Sequence, residues 1–168
     1  FSGSGNINET YFFKGCLTWN LVSTAPFCCR IISDGHVMGD AGPICLAHDE
    51  KAYYALAYMN TRVCNFFMSV LNPTMNYPSG VVAKLPYKIN NSAMDDVISL
   101  SKKSVELAWA DWDAFETSWD FQALPWLPSV LPDYLKDTDI PAPDRYSLAN
   151  CWDTWRAIGQ RWTAEMLR

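Results

Sequence analysis

One arginine interrupts an otherwise apolar segment, residues 27–33 (FCCRIIS), and its side chain could bind groups that the neighbouring residues cannot. The guanidinium of Arg30 presents its hydrogen-bond donors in a planar fork, which matches a phosphate, a carboxylate or the major-groove edge of guanine. Two interpretations are open. Arg30 either pairs with a carboxylate or extends its charged end into solvent, or it projects from a sheet edge towards a nucleic acid.

A second polar segment is the Asn-Pro loop, residues 72–80 (NPTMNYPSG). In amino-methyltransferases an Asn-Pro-Pro-aromatic motif binds the target amino group, and its aromatic ring stacks on the flipped base. Here Thr74 and Met75 follow Pro73, so that four-residue arrangement is missing. No glycine-rich turn after a predicted strand supplies an adenosylmethionine pocket. The loop is therefore expected to make polar contacts, with Thr74 and Asn76 as candidates, and not to transfer methyl groups.

The other reactive side chains form no recognisable catalytic or metal-binding pattern. The six cysteines show no C-x-x-C spacing and are accompanied by only two histidines, so neither a zinc site nor a regular disulfide framework is predicted. Reduced thiols are typical of a cytoplasmic protein, which is the expected localisation. We predict no catalytic residue and no metal ligand in this chain.

The composition is that of a folded, aromatic-rich protein. Of the 168 residues, 49% are hydrophobic and 18% charged, which suits one ordinary domain or a small domain with a helical appendage. The net charge of −5 disfavours unaided nucleic-acid binding by the isolated chain, because such affinity comes largely from neutralised phosphates. No apolar run is long enough to span a membrane. Because the chain begins at Phe1 without a signal peptide, we expect a piece of a longer protein.

Apolar periodicity predicts an α+β fold in which a small mixed β-sheet packs with a helical hairpin. Residues 44–87 form the central part of this predicted fold. They comprise a short strand, a charged turn, a helical segment, the Asn-Pro loop and a second strand ending at Pro86. Asn60-Thr61 divides the helical segment into two short helices with a cap-like joint. Strands are also expected at residues 17–19 and 27–33, the latter in a hairpin with residues 36–38. The predicted buried stripe of the helices comprises Ala52, Ala55, Leu56, Met59, Val63, Phe66, Phe67 and Val70.

Amphipathic helices are predicted for the second half of the chain. One starts near Ser92, which with Asp95 resembles a capping box, and continues to about Trp119, with Ser101 as a point where it could break. A proline-rich loop, residues 121–143, precedes a final helix over residues 146–168 with three tryptophans on one stripe. We therefore divide the chain into residues 1–90 and 91–168.

Six segments together resemble a known family. They are residues 13–19, 27–30, 55–60, 63–73, 82–86 and, above all, 115–121 (FETSWDF). The sequence resembles the BREX (bacteriophage exclusion) adenine-specific DNA methyltransferases, and more loosely the single-chain type II restriction–modification enzymes with a fused recognition domain. The resemblance covers nearly the whole chain and is weakest around residues 127–143.

The resemblance implies that the catalytic domain, with its S-adenosylmethionine pocket, lies N-terminal to this chain in the parent protein. Residues 1–90 would then be part of a target recognition domain, which reads a short site in double-stranded DNA for adenine-N6 methylation in anti-phage defence. No cofactor is expected in this chain, and no membrane partner. The candidate DNA-binding residues are Lys14, Thr18, Trp19, Arg30, Ser33, Thr74 and Asn76. The alternative for each is an ordinary surface or capping residue, and for Trp19 it is a place in the core.

An alternative hypothesis assigns the chain to protein interaction. In that case the tryptophan-rich helices, residues 105–119 and 148–162, would dock other subunits of the defence system. The two hypotheses concern different parts of the chain and can both hold.

Overall fold

A computed structural model describes residues 11–39, 41–47, 49–127 and 147–167. The chain divides into two units, Phe1–Lys102 and Lys103–Arg168. The elements are β1 (Cys16–Trp19), β2 (Cys29–Ile32), β3 (Ile44–Cys45), α1 (Lys51–Met59), α2 (Arg62–Leu71), α3 (Ser79–Val82), α4 (Met94–Asp113) and α5 (Leu148–Met166). The α+β class predicted from the sequence is confirmed.

The three strands of the first unit form a sheet in the order β2-β1-β3. Both pairings are antiparallel, so the described sheet is not mixed as predicted. In the β1–β2 pair Thr18 lies opposite Arg30, and Trp19 lies opposite Cys29. The predicted turn at Asp34-Gly35 is present, and Gly35 adopts a φ of 101°, which favours glycine. Residues 36–38 are not a strand, because the partner of β2 is β1.

The division of the helical segment at Asn60-Thr61 is confirmed. Thr61 caps α2, its hydroxyl accepting a hydrogen bond from the Cys64 amide at 3.1 Å. The predicted stripe holds for α1, whose buried residues are Ala52, Leu56 and Met59. It is wrong for α2, where Cys64 and Met68 are buried and Val63, Phe66 and Val70 are exposed.

The predicted second strand ending at Pro86 is wrong, because residues 79–82 form the short helix α3. Pro78 leads into it with a φ of −68°, and its carbonyl accepts hydrogen bonds from the amides of Val81 and Val82. These bonds commit the backbone to a helical turn, so residues 81 and 82 cannot pair with a strand.

The core of the first unit lies between the sheet and the helices. Leu17 is completely buried at the centre of β1, and Trp19 is 2% exposed. The Trp19 and Phe27 rings lie 5.9 Å apart, and those of Phe27 and Tyr77 lie 5.4 Å apart. Burial of each such side chain stabilises a fold by about 1.5–3 kcal/mol. Further core residues are Cys29, Leu56, Met59, Cys64, Met68 and Val82.

Helix α4 differs from the prediction at both ends. A 3-10 turn, Asn91–Ala93, leads into α4, and Asn90 caps this turn, since its side chain accepts from the Ser92 amide. The Ser92 hydroxyl donates to Asn90 Oδ1 and does not form the predicted capping box. The helix is continuous through the buried Ser101 and ends at Asp113, not near Trp119. The division between the two units falls within it.

In the second unit, α5 begins after Ser147, whose hydroxyl accepts from the Asn150 amide. Cys151 and Ile158 are completely buried, and the Trp155 and Trp162 rings pack against them. Residues 121–127 contain no helix or strand, while the rest of the predicted proline-rich loop and the predicted helix ends at 146 and 168 lie outside the described residues.

None of the helices in the described ranges is long and apolar enough to cross a membrane.

Candidate nucleic-acid interface

Arg30 lies on β2, an edge strand of the sheet, and its side chain is exposed. Its guanidinium donates a hydrogen bond to the side-chain oxygen of Asn20, the residue that follows β1. Asn20 lies next to Arg30 because the Thr18–Arg30 pairing places the end of β1 beside β2. Among the described residues the partner of Arg30 is thus a neutral amide and not a carboxylate, while its exposed side chain agrees both with a charged end that extends into solvent and with one that projects from the sheet edge.

The Asn-Pro loop is attached to the chain that follows β1. The Ser23 amide donates to the Met75 carbonyl at 2.9 Å, and the Tyr77 amide donates to the Leu21 carbonyl at 2.6 Å. The indole N–H of Trp19 donates to the Tyr77 carbonyl at 2.8 Å. These bonds hold the loop that carries Thr74 and Asn76 next to the segment that carries Asn20.

Within the loop, polar side chains fix the backbone. The Thr74 hydroxyl donates to Asn72 Oδ1 at 2.8 Å and accepts from the Asn76 amide at 3.3 Å. The Asn72 side-chain amide donates to the Asn76 carbonyl. Thr74 and Asn76 are both exposed, so the loop presents polar side chains on an ordered backbone.

A shallow cavity of about 200 Å³ lies between Arg30 and the loop. Asn20, Ser23, Phe27 and Tyr77 contribute to its wall together with Arg30. Arg30 therefore lies in the same part of the first unit as Tyr77, which follows the segment carrying Thr74 and Asn76, although those two side chains do not line the cavity. We name this part, with Asn20, the arginine surface.

Lys14 and Ser33 lie at the other end of the β1–β2 pair, and both are exposed. The Gly35 amide donates to the Phe13 carbonyl at 3.0 Å, and the Gly15 amide donates to the Asp34 carboxylate at 2.6 Å. Ser33 is three residues beyond Arg30, which corresponds to about 10 Å along a strand. Lys14 and Ser33 thus form a polar position that is separate from the arginine surface.

Thr18 and Trp19 are not available as surface contacts in this structure. Thr18 is 5% exposed, and its hydroxyl donates to the Pro43 carbonyl at 2.9 Å. Trp19 is buried, with its indole N–H bonded to Tyr77. Because both side chains are enclosed and their donors are used, they stabilise the fold, and the surface set reduces to the other five residues.

Asn60 has a role that the sequence analysis missed. Its side chain accepts from the Cys29 amide at 3.0 Å and donates to the Cys29 carbonyl at 3.0 Å. The side-chain amide thereby pairs with the backbone of the edge strand β2, as a neighbouring strand would. In the sequence, Asn60 was noted because it interrupts the helical segment between α1 and α2, but this indicated only the division into two helices and not a contact with β2. Asn20 was also missed, because its contact with Arg30 depends on strand register.

The formal charge differs between the two units. Residues 1–102 contain seven Lys or Arg and seven Asp or Glu, whereas residues 103–168 contain six and eleven. The whole net charge of −5 therefore belongs to the second unit. The first unit, which carries the arginine surface, is formally neutral, so the electrostatic objection to contact with DNA does not apply to it.

No protein-family model matches the chain, but two curated relatives are similar to it. The adenine-specific methyltransferase BrxX of Escherichia coli O9:H4 (strain HS) is 38% identical over 117 residues, which are 68% of this chain and 9% of the relative. The adenine-specific methyltransferase PglX of Lacticaseibacillus casei (strain Zhang) is 29% identical over 119 residues, 70% of this chain and 10% of the relative. The chain belongs to the BREX methyltransferase family. It spans about a tenth of the length of these relatives.

Methyltransferases of this kind need a methyl donor, and the lining of one cavity in the first unit of this BREX chain does not suit S-adenosylmethionine. The cavity, of about 480 Å³, is lined mainly by apolar side chains, among them Tyr58, Val82 and Leu85. Among the described residues that line it, Lys51 is the one charged side chain and none is a carboxylate. The hydroxyl and amino groups of the cofactor would find no carboxylate acceptor there. We derive no methyl-transfer step from this chain.

Two buried thiols of the BREX chain, those of Cys29 and Cys64, are also unsuited to nucleophilic chemistry. All six cysteines are free, and burial raises the pKa of the Cys29 thiol to about 12 and that of Cys64 to about 11. A thiol with such a pKa stays protonated and unreactive at neutral pH. In the described ranges no three His, Cys, Asp or Glu side chains form a group that could hold a metal ion.

Proposed function

We propose that residues 1–90 form part of the DNA target recognition domain of an adenine-specific methyltransferase, and that residues 91–168 are the helical segment following it. The parent protein would use S-adenosylmethionine, bound outside this chain, to methylate adenine N6 in double-stranded DNA. Its setting would be a cytoplasmic defence system against phage. Membership of the BREX family supports the methyltransferase, and the arginine surface supports the assignment of its first unit.

The observation that carries the proposal is the position of Arg30. It is exposed on an edge strand and held by a neutral partner, Asn20, and no carboxylate in the described part of the chain forms an ion pair with it. An Arg fork donates two parallel hydrogen bonds to O6 and N7 of guanine, or to a phosphate. Asn20 would orient the fork and leave its remaining donors for DNA.

The Asn-Pro loop would supply the neighbouring contacts. An Asn side chain suits the donor–acceptor pair on the major-groove edge of adenine, and a Thr hydroxyl suits phosphates or either base. Asn76 and Thr74 stand on a backbone that hydrogen bonds already fix, so little conformational entropy is lost on binding. Ser33, about 10 Å from Arg30 along the strand, and Lys14, which precedes β1 at the same end of the pair, would contact the phosphate backbone.

The test compares the full-length parent protein with its Arg30→Ala variant. Labelled duplexes that carry the methylated motif or a single-base change are titrated by fluorescence anisotropy, and methylated motifs in the host genome are mapped by long-read sequencing. We expect Arg30→Ala to lose about 1–3 kcal/mol of discrimination at one base pair and to relax the motif there. Lys84→Ala, which removes an exposed cation outside the arginine surface, serves as the matched control and should leave the motif unchanged.

The two positions of the interface give distinguishable results. Lys14→Ala should weaken binding equally for all duplexes and lower the salt dependence, since a phosphate contact carries no sequence information. If Arg30→Ala leaves both affinity and motif intact, Arg30 does not read DNA. If exchange of residues 1–90 for those of a relative leaves the methylated motif unchanged, the assignment of this unit to target recognition is wrong.

A further inference from the structure

The end of α4 and the turn that follows it display a row of aromatic side chains in the second unit. Trp109 and Trp112 lie three residues apart on the helix, and Phe115 and Trp119 follow them. All four are exposed: Trp112 has 57% of its surface accessible, and Trp119 is fully accessible at 101%. We name this region the tryptophan surface, and it also includes the exposed carboxylates Asp111, Glu116 and Asp120.

These aromatic residues are not the ones that build the core of the unit. The Trp155 and Trp162 rings pack edge to face at 5.5 Å beside the buried Cys151 and Ile158. The core therefore has its own aromatic residues. The tryptophan surface is an additional apolar area facing solvent, and such areas on folded proteins commonly mark interaction sites.

The turn that carries Phe115 and Trp119 is held in place by Ser118. This serine is buried, its hydroxyl donates to the Asp113 carboxylate at 2.6 Å, and it accepts from the Asp120 amide at 3.1 Å. The Ser118 amide donates to the Phe115 carbonyl at 3.0 Å. An exposed turn with this many internal bonds is ordered before any partner arrives, which lowers the entropy lost on binding.

The charge of this region identifies the chemistry of a partner. Residues 104–127 include five Asp or Glu and no Lys, Arg or His. Such a segment repels nucleic acid and anionic membrane surfaces and attracts a cationic partner. Lys and Arg side chains also bind favourably over the faces of tryptophan rings.

We propose that the tryptophan surface docks a basic segment of a protein partner that also has an apolar face. The aromatic rings would receive the apolar side chains, and the surrounding carboxylates would pair with Lys or Arg at the rim. Tryptophans are the residues on which most of the binding free energy at interfaces commonly depends. The inference does not depend on the DNA-recognition proposal, because the tryptophan surface lies wholly in residues 103–168.

The test uses the complete 168-residue chain and a labelled helical peptide with leucine on one face and lysine on the other. A peptide of the same design with glutamate in place of lysine is the control for charge, and a scrambled lysine–leucine peptide is the control for the apolar face. Fluorescence anisotropy measures the affinity at two salt concentrations. We expect binding of the lysine peptide alone, weakening as the salt concentration rises.

Three variants locate the binding. The double variant Trp112→Ala, Trp119→Ala should weaken binding about tenfold or more with an unchanged far-UV circular dichroism spectrum, because both side chains are exposed. The variant Asp111→Asn, Glu116→Gln, Asp120→Asn should weaken it several-fold and reduce the salt dependence. Phe66→Ala, which removes an equally exposed aromatic ring from α2 in the first unit, is the matched control and should have no effect.

Several results would overturn the inference. They are an equal affinity for the glutamate peptide, no binding of the lysine peptide, or an equal loss in the Phe66→Ala control. Self-association of the chain in sedimentation, abolished by the Trp112→Ala, Trp119→Ala variant, would instead identify a second copy as the occupant and would exclude the basic partner. Failure of this inference leaves the methylation-motif experiment on Arg30 unaffected.

Discussion

Residues 1–102 contain one of the chain's eight tryptophans and residues 103–168 contain seven, yet the single tryptophan is the buried one. Trp19 packs against Phe27 in the core of the first unit and is bonded to the Tyr77 carbonyl. Trp112 and Trp119 in the second unit face solvent. The two units also differ in formal charge, since the first is neutral and the second carries the whole net charge of −5.

The contrast teaches that composition averaged over a chain can conceal two different surfaces. The acidic total argued against DNA binding, but it describes the second unit and not the unit with Arg30 on its surface. The high aromatic content of the chain likewise indicated a packed core, whereas several of the aromatic side chains form the exposed tryptophan surface. The first unit presents polar groups on ordered loops, and the second presents aromatic rings among carboxylates.

The largest expected effect comes from truncating the buried tryptophan. Trp19→Ala removes a ring that is 2% exposed and leaves the Tyr77 carbonyl without its donor, so we expect a loss of about 3–5 kcal/mol in the free energy of unfolding. Such a loss is a large fraction of the stability of an ordinary domain. Urea unfolding followed by far-UV circular dichroism measures it.

Trp119→Ala is the matched control in the second unit. The same truncation at a fully exposed ring should change the free energy of unfolding by less than about 0.5 kcal/mol. Comparable losses in the two variants would show that the contrast between a structural and a displayed tryptophan is wrong.

Alkaline pH should destabilise the first unit through its buried thiols. Burial raises the pKa of Cys29 to about 12 and that of Cys64 to about 11, against 9.0 for the ordinary thiol. The folded state therefore binds these protons more tightly than the unfolded state, so the stability they contribute is complete below pH 9 and is lost as the pH rises towards 11–12. The slope for each thiol approaches about 1.4 kcal/mol per pH unit.

Urea midpoints measured from pH 7 to pH 10.5 test this slope, and hydrogen exchange localises it. Cys64→Ala should flatten the decline above pH 9, whereas Ser69→Ala, at an exposed position on the same helix that does not titrate, should not. Alkylation at neutral pH gives a second measurement, because Cys28 should react quickly and its buried neighbour Cys29 slowly. A decline of equal slope in both variants would contradict the assignment to buried thiols.

The interaction of Asn60 with the edge strand should have the next largest effect. Asn60→Ala leaves the Cys29 amide and carbonyl without their side-chain partner, and we expect a loss of about 1–2 kcal/mol in unfolding free energy. Asn65→Ala removes an amide that makes one 3.3 Å bond within α2, and it should cost about 0.5 kcal/mol or less. Equal losses would mean that the pairing with β2 does not stabilise the sheet.

Local patterns were sufficient to predict the joint at Asn60-Thr61, the turn at Asp34-Gly35 and the final helix, because each rests on a few neighbouring residues. The buried face of α2 was missed for a physical reason. Its sequence, RVCNFFMSVL, is apolar on more than one side, so periodicity alone does not select Cys64 and Met68 over the face with Phe66.

The candidate interface was only partly predictable. Arg30 stood out as a charge in an apolar segment, but its partner Asn20 follows from the β1–β2 register, which no local pattern specifies. Thr18 was a candidate contact because its segment was interpreted as an early loop, and for Trp19 the alternative of a place in the core agrees with the structure. The burial of Thr18 depends on α1 and on residue 43, which are distant in sequence. Whether the exposed five residues contact DNA stays a prediction.

The smallest effect concerns two adjacent lysines on α4 that form ion pairs in different units. Lys102 bonds to Glu50 at 2.5 Å in the first unit, and Lys103 bonds to Glu165 in the second. Both side chains of the Lys102–Glu50 pair are partly exposed, at 40% and 66%, so a double-mutant cycle with alanine should give a coupling of only about 0.2–1 kcal/mol that decreases with salt. Because Lys102 also lies 5.5 Å from the centre of the Tyr53 ring, Lys102→Ala should lose more stability than Glu50→Ala.

Hydrogen exchange should then show the loss in α1 for Lys102→Ala and in α5 for Lys103→Ala. A loss spread equally over both helices in either variant would mean that the two units do not respond separately, which is the assumption behind their comparison.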